Sequence, residues 1–280
     1  MIKLNKATKD ELTGNEDEDT LTIAVAGKGG TGKTTISGLI IRELVERQKG
    51  SVLAIDADPN ANLDELLGFE VDGTIGELEA EVLHEDQDIP PGMTKKRWME
   101  LHLQQILSEG KGKDLLVMGR GEGPSCYCAV NNILREYLNN LARNYDFLVM
   151  DNEAGMEHLS RRTTAGIDAL LIASDSNPIS VKSARRIAEL VDELDIEVGK
   201  KYLVLNRTQG DLPDKTEKKM DELELELLGE VPRDENVLDL CWEGKPIDLL
   251  EPNSPALKSV RKMVDNLVSD TATISPVKSE

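Results

Sequence analysis

Gly27-Lys28-Gly29-Gly30-Thr31-Gly32-Lys33-Thr34-Thr35 decides the fold of this 280-residue chain. An apolar segment, residues 21–26, runs into it, and a helically periodic one, residues 34–48, runs out of it. Strand, glycine-rich turn and helix N-terminus in that order make a phosphate cradle. Backbone N–H groups and the positive end of the helix dipole converge on one point there. Each residue from Gly27 to Thr35 is therefore a candidate nucleotide contact. Lys33 is expected to reach the β- and γ-phosphates and the Thr34 hydroxyl to hold Mg2+. Lys28 is a second lysine that the ordinary pattern does not require.

Working outward, further apolar runs recur at residues 51–56, 114–118, 145–150, 169–173 and 201–205, with a short one at 229–231. They are rich in Val, Ile and Leu and do not alternate with polar residues, the pattern of strands covered on both faces of a mostly parallel sheet. Helical periodicity fills the gaps: Ile36, Leu39, Ile40 and Leu44; Ile133, Leu134, Leu138 and Leu141; Ile187, Leu190, Val191 and Leu194; Leu257, Val260, Val264 and Leu267. Strand–helix alternation predicts one doubly wound α/β domain of the P-loop NTPase type over residues 21–269. Residues 1–20, acidic and poor in apolar side chains, read as a flexible leader, and residues 270–280 as a flexible tail. Residues 84–98, with Pro90, Pro91 and Gly92, read as a surface excursion, and 209–215 as a loop.

Composition narrows the function. A net charge of -20 sets the surface against phosphate backbones, so no nucleic-acid partner is expected. No apolar stretch approaches the ~20 residues of a membrane span, and no secretory h-region is visible. A cytoplasmic protein without a membrane partner is expected. Three cysteines do not make a disulfide framework.

Carboxylates fall where strands end, which in an open parallel sheet is the ligand edge. Asp56 and Asp58 close the second apolar run. Asp58 is the better placed to orient an attacking water, or else it serves as a turn or N-cap residue for the helix after Pro59. Asp151 ends the fourth run and fits the carboxylate near Mg2+. Gly155, soon after it, brings a backbone N–H toward the γ-phosphate. Asn206 and Arg207 end the run at 201–205, and Pro232 and Asp234 follow the last one. An Asn amide matches the donor–acceptor edge of a purine. Catalysis is accordingly assigned to Lys33, Asp58 and Asp151, and base contacts to Asn206, Arg207, Pro232 and Asp234; the resemblance below adds Lys28 to the catalytic set.

With its extra lysine, the glycine run resembles the deviant Walker A motif of the nitrogenase iron protein and MinD-type ATPases. That resemblance implies that Lys28 crosses an ATP-dependent homodimer to the partner's phosphates, much as an arginine finger does. Asp56-Ala57-Asp58-Pro59, Ala61-Asn62-Leu63, Glu153-Ala154-Gly155, Glu157-His158-Leu159, Met118-Gly119-Arg120, Glu122-Gly123-Pro124 and Cys126-Tyr127-Cys128 look more narrowly like the CooC family. These are ATPases that insert nickel into carbon monoxide dehydrogenase. The resemblance covers residues 21–268 and implies ATP and Mg2+ as ligands and carbon monoxide dehydrogenase, or a related nickel enzyme, as client. Ser174-Asp175-Ser176-Asn177-Pro178 departs from the more usual Glu-Pro after the fifth strand, and the leader is foreign to the pattern.

Cys126 and Cys128 precede a predicted helix near Ala129, whose N-terminus favours thiolate. Two thiolates do not close a four-coordinate site, but a twofold dimer supplies four. Such a set suits tetrahedral Zn2+, square-planar Ni2+ or an Fe–S cluster. The CooC resemblance favours Ni2+, with Zn2+ able to substitute. Two rival functions remain open at this level: an ATP-gated electron donor with an interfacial [4Fe–4S] cluster, and a MinD/ParA-like positioning ATPase. Cys241, between Leu240 and Trp242, is expected to be a packed structural cysteine.

Overall fold

The computed structural model describes residues 20–60, 62–84, 89–120, 128–153, 166–194, 196–223 and 225–271. The expected leader therefore lies outside the described residues save for Thr20, as do Gly155 and Cys126.

The chain alternates strand and helix as expected. In order come β1 (Leu21–Gly27), α1 (Lys33–Glu46), β2 (Val52–Asp56), α2 (Leu63–Leu67), α3 (Ile75–His84) and α4 (Lys95–Gln105). Then follow β3 (Ser108–Glu109), β4 (Lys113–Val117), α5 (Cys128–Ala142), β5 (Phe147–Asp151), β6 (Ile167–Asp175) and α6 (Pro178–Glu193). The last elements are β7 (Val198–Thr208), α7 (Asp214–Asp221), β8 (Glu226–Pro232), α8 (Glu235–Trp242), a short 3-10 turn (Ile247–Leu249) and α9 (Pro255–Thr271).

Eight strands form one sheet in the order β3-β4-β2-β5-β1-β6-β7-β8. All neighbours are parallel except β3 and β4, where Ser108 and Glu109 pair antiparallel with Leu115 and Asp114. Two apolar cores cover the two faces. Ile23, Val25, Val52, Ala54 and Val149 face α1 and α9, whereas Ala24, Ala26, Leu53, Ile55 and Leu148 face the core shared with α4, α5 and α6. Alternate residues of one strand thus enter different cores, which is why the strand sequences read as unbroken apolar runs.

Strand β1 lies between β5 and β6, where the strand order changes direction. Ligands of such sheets bind at that crevice, outside the carboxyl ends of the strands, and the glycine run leaves the sheet there.

Three differences from the sequence expectations have local causes. The proline-bearing excursion is shorter than residues 84–98, because Thr94 accepts a bond from the Arg97 N–H and starts α4. The loop after β7 gives way to helix at Asp214. The C-terminal helix runs to Thr271, past the expected start of the tail at Asp270. There the Asp270 carboxylate is held by Lys200 and the Tyr202 hydroxyl, both at 2.9 Å. The unusual sequence after β6 is a helix start: Asn177 caps α6 through the Ile179 N–H, with Pro178 in the first turn.

Candidate functional site

The glycine run folds into a closed loop. Both the N–H and the hydroxyl of Thr31 bond the Lys28 carbonyl, at 3.2 and 2.8 Å. Gly30 and Gly32 take the left-handed conformation, at φ 82° and 85°, which costs a side chain dearly. A Cβ on Gly32 would also overlap the Asn206 amide. Gly32 offers α1 no side-chain cap. The first-turn N–H groups of that helix therefore face outward with the dipole, ready for an anion. Lys33 is buried and Lys28 exposed.

Asp151 sits behind this loop. It is buried at the end of β5 and accepts from the Ser37 hydroxyl at 3.2 Å. Burial pushes its carboxyl up to about 7; a hydrogen bond from Thr34 opposes that, the Asp56 charge adds to it, and Lys33 and Ser37 oppose it. Asp56 is directly beside it in the sheet register. Burial raises Asp56 too, against three backbone N–H bonds from Leu63, Asp58 and Asn62. Two buried carboxyls stand side by side, and only Asp151 has a cation, Lys33, acting on it, so the site is short of positive charge. Its oxygen donors, Thr34 and Asp151, fit a hard divalent cation such as Mg2+.

The acidic turn divides its labour. Asp56, not Asp58, holds the start of α2, through the N–H groups of Asn62 and Leu63, both at 3.0 Å. Asp58 accepts from the Asn60 N–H at 2.9 Å and from its side-chain amide at 3.3 Å. The turn role weighed from sequence is thus present, and the same residue stands at the ligand edge.

On the base side, Asn206 is buried and its amide donates to Thr31 O at 2.8 Å. Arg207, at φ 56°, donates to Gly30 O at 3.2 Å. Both residues therefore rest on the glycine loop. Pro232 ends β8 beside Thr208. Asp234 is buried and fully engaged: it caps α8 through Asn236 N–H and binds the Ser254 hydroxyl and the Ala256 N–H. Its carboxylate pins the start of α9.

Cys241 departs from expectation: it is exposed. Leu240 packs inward while Trp242 is 83% exposed, so the helix carries the thiol onto the surface. It lines a cavity of about 280 Å3 with Thr34, Thr35, Asn62, Glu65 and Lys245, beside the start of α1. A larger cavity of about 590 Å3 opens between the Pro59–Asn60 turn, α3 and Gly119–Arg120.

Sequence reasoning passed over Asn152. Its amide donates to Val25 O and Met150 O, at 3.2 and 3.3 Å, and so ties β1 to β5 where the glycine run begins. Its Oδ1 is buried with no partner. The signal was available: a polar side chain directly after Asp151, the acid that ends an otherwise apolar strand. Cys128 opens α5, one residue before the expected start, and nothing of its side chain is described. Among the described residues no group of three or more His, Cys, Asp or Glu side chains is placed to hold a metal.

Comparison with known proteins agrees with this geometry. The model of the CobQ/CobB/MinD/ParA nucleotide binding domain matches residues 22–247. An ATP-binding protein of Methanocaldococcus jannaschii, itself uncharacterized, is 40% identical over 249 residues, covering 88% of this chain and 98% of the relative. The carbon monoxide dehydrogenase accessory protein CooC of Rhodospirillum rubrum is 31% identical over 186 residues, covering 62% of this chain and 70% of its own. Among solved structures, the septum site-determining protein MinD of Pyrococcus horikoshii, complexed with Mg-ADP, superposes with a TM-score of 0.65 at 20% identity, covering 92% of this chain and 100% of that one.

Proposed function

We propose a function from one premise: the chain belongs to the CobQ/CobB/MinD/ParA nucleotide-binding domain family. It is a P-loop ATPase, and its finer role is that of a nickel-loading ATPase acting on a metalloenzyme. ATP binds with its phosphates on the N–H groups of the glycine loop and on Lys33. Thr34, with Asp151 behind it, would hold Mg2+, which when bound would neutralise charge on the phosphates. Lys28, exposed on the loop, reaches the phosphates bound to a second copy of the chain. Asp58 orients the water that attacks the γ-phosphorus. The phosphoanhydride bond breaks, and ADP and phosphate leave. Asn206 and Arg207 shift from the glycine loop to the base, with Gly155 and Pro232 completing the pocket.

Nickel is the cargo, not a resident cofactor. Cys126 and Cys128 from two chains provide four thiolates, which suit Ni2+ and also accept Zn2+. The observation that supports this reading is the sequence Cys126-Tyr127-Cys128, of which Cys128 opens α5, in a chain similar to a carbon monoxide dehydrogenase accessory protein. The client is then carbon monoxide dehydrogenase or a related nickel enzyme. No helix among the described residues is long and apolar enough to cross a membrane.

The test is anaerobic metal analysis of the wild type and of Cys126→Ser/Cys128→Ser. Nickel at one ion per dimer, lost in the double variant with ATP affinity kept, is expected. Stoichiometric iron with charge-transfer absorbance would replace nickel by a cluster and the chaperone by an electron donor.

A further inference from the structure

A carboxylate stands where a polyphosphate has no use for one. The cavity of about 280 Å3 is walled on one side by Thr34 and Thr35, in the first turn of α1, and on the others by Glu65 of α2 and by Cys241, Gly244 and Lys245 at the end of α8. Gly244, at φ 60°, closes on Glu65 so tightly that a Cβ there would come within 2.7 Å of Glu65 Oε1. Lys245, the one cation in the lining among the described residues, is spent on Glu243 at 2.6 Å. Among the described residues, no side chain or N–H donates to the Glu65 carboxylate. Beside phosphates such a carboxylate repels the ligand. It favours binding only where the ligand is neutral and carries hydroxyl donors, and in a nucleoside triphosphate that part is the ribose. The cavity also lies between the phosphate end and the base side. Partial burial pushes the Cys241 thiol up, the Arg207 charge opposes that and the Glu65 charge adds to it, so both groups lie close to the thiol. Asn206, by contrast, offers a sugar nothing: it is buried, its amide donates to Thr31 O at 2.8 Å, and its Oδ1 accepts from the Arg207 N–H at 2.9 Å. At about 280 Å3 the cavity falls short of the about 300–1,000 Å3 of a whole small-molecule site, so it takes one part of the nucleotide.

We propose that this cavity is the ribose subsite of the ATP site and that Glu65 is its specificity-determining residue, accepting hydrogen bonds from the 2′- and 3′-hydroxyls and so selecting ribonucleotides over 2′-deoxyribonucleotides. An ionised carboxylate is an acceptor only, and its two oxygens match two neighbouring hydroxyl donors. Hydrogen bonds to a charged acceptor are about twice as strong as neutral ones, which makes the loss of one hydroxyl count. Gly244 has a part in this, since a side chain there would push the carboxylate aside. The inference rests on the ATP-binding reading of the glycine loop and is independent of nickel.

Equilibrium binding of ADP and of 2′-deoxy-ADP to the full chain, with Mg2+, tests it. The parent is expected to prefer ADP by about tenfold or more, the loss of one hydrogen bond to a charged group. Glu65→Ala should bring that ratio close to one, chiefly by weakening ADP. Glu65→Gln, which keeps one acceptor oxygen, should keep part of it. A carboxylate that only shapes α2 would weaken both nucleotides alike and leave the ratio as it was. A parent ratio of one, or a Glu65→Ala ratio equal to the parent's, overturns the assignment. Cys241 places the sugar independently, in the unsubstituted protein. Its alkylation by iodoacetamide, followed by mass spectrometry of its own peptide, should slow under saturating ADP. It should stay unchanged under saturating pyrophosphate, which fills the glycine loop without a sugar. A rate indifferent to ADP, or equal protection by pyrophosphate, also overturns the subsite. Tight ADP binding without discrimination removes the subsite alone, whereas absence of any ADP or pyrophosphate binding removes the glycine-loop reading and the subsite with it.

Discussion

Two buried carboxylates, Glu43 in the C-terminal half of α1 and Asp151 beside its N-terminal end, are compensated in opposite ways. In the C-terminal half, Glu43 is fully buried and receives both Nε and Nη2 of Arg261 from α9, at 2.9 and 3.0 Å. Arg42 beside it spends its guanidinium on Ile247 O and Glu46. Every charge there has a geometrically matched partner. At the N-terminal end, Asp151 has hydroxyls from Ser37 and Thr34 and one lysine, Lys33, with the Asp56 carboxyl beside it. The first arrangement fastens the helix to the domain. The second leaves charge unneutralised beside a bare helix N-terminus, which is what a site prepared for a cation and a polyphosphate looks like. Burial alone does not mark function; burial without compensation does.

The comparison breaks first at Asp151. Asp151→Asn keeps the shape and removes the charge. ATP turnover should fall roughly 10³-fold, about 4 kcal/mol of transition-state stabilisation, because the cation loses its anchor. Phosphate release under saturating Mg2+ and ATP measures it. A fall under threefold would mean that the carboxylate is as structural as Glu43.

Glu43 answers the opposite substitution. Arg261→Ala takes away the cation paired with the Glu43 carboxylate. The Arg261 side chain is 38% exposed, which trims the usual cost of breaking a buried pair to about 3 kcal/mol. Urea unfolding should show that loss, with turnover per folded molecule unchanged. Glu43→Leu/Arg261→Met should recover most of it, since an apolar pair in that place needs no compensation.

The two halves were not equally legible. The glycine run, Lys33, Thr34 and Asp151 stand in the sequence because strand, turn and helix chemistry must be contiguous there. The sheet order was not, since nothing in an apolar run names its neighbour, and β3 is too short to carry a pattern. Asp58 and Asp234 show a subtler limit. Each stands at a strand end, but only the folded structure reveals that Asp234 caps α8 and pins the start of α9, and that Asp58 serves the turn while Asp56 holds the start of α2. Cys241 was misjudged because its apolar neighbours were taken to share its direction, whereas successive helix residues point about 100° apart. The Glu43–Arg261 pair joins residues far apart in the chain and leaves no local trace.

The smallest effect is the most discriminating, because it separates stability from turnover at one residue. With its carboxyl pushed up to about 7 from an ordinary 3.8, folded Asp151 keeps a proton that the unfolded chain releases. The stabilisation from that proton is fully present below pH 3.8 and is lost as pH rises through about 7. Above pH 7 the Mg2+-free protein carries the whole cost of the buried charge. Asp151→Asn carries none, so at pH 8 without Mg2+ it should be more stable than the wild type by about 2 kcal/mol, and near pH 4 the gain should vanish. Excess Mg2+ and nucleotide should narrow the difference by stabilising the wild type more. Thermal melts at the two pH values measure it. Equal stability at pH 8 would mean that the N-terminal end of α1 is as well compensated as the Glu43 end, and the contrast between them would close.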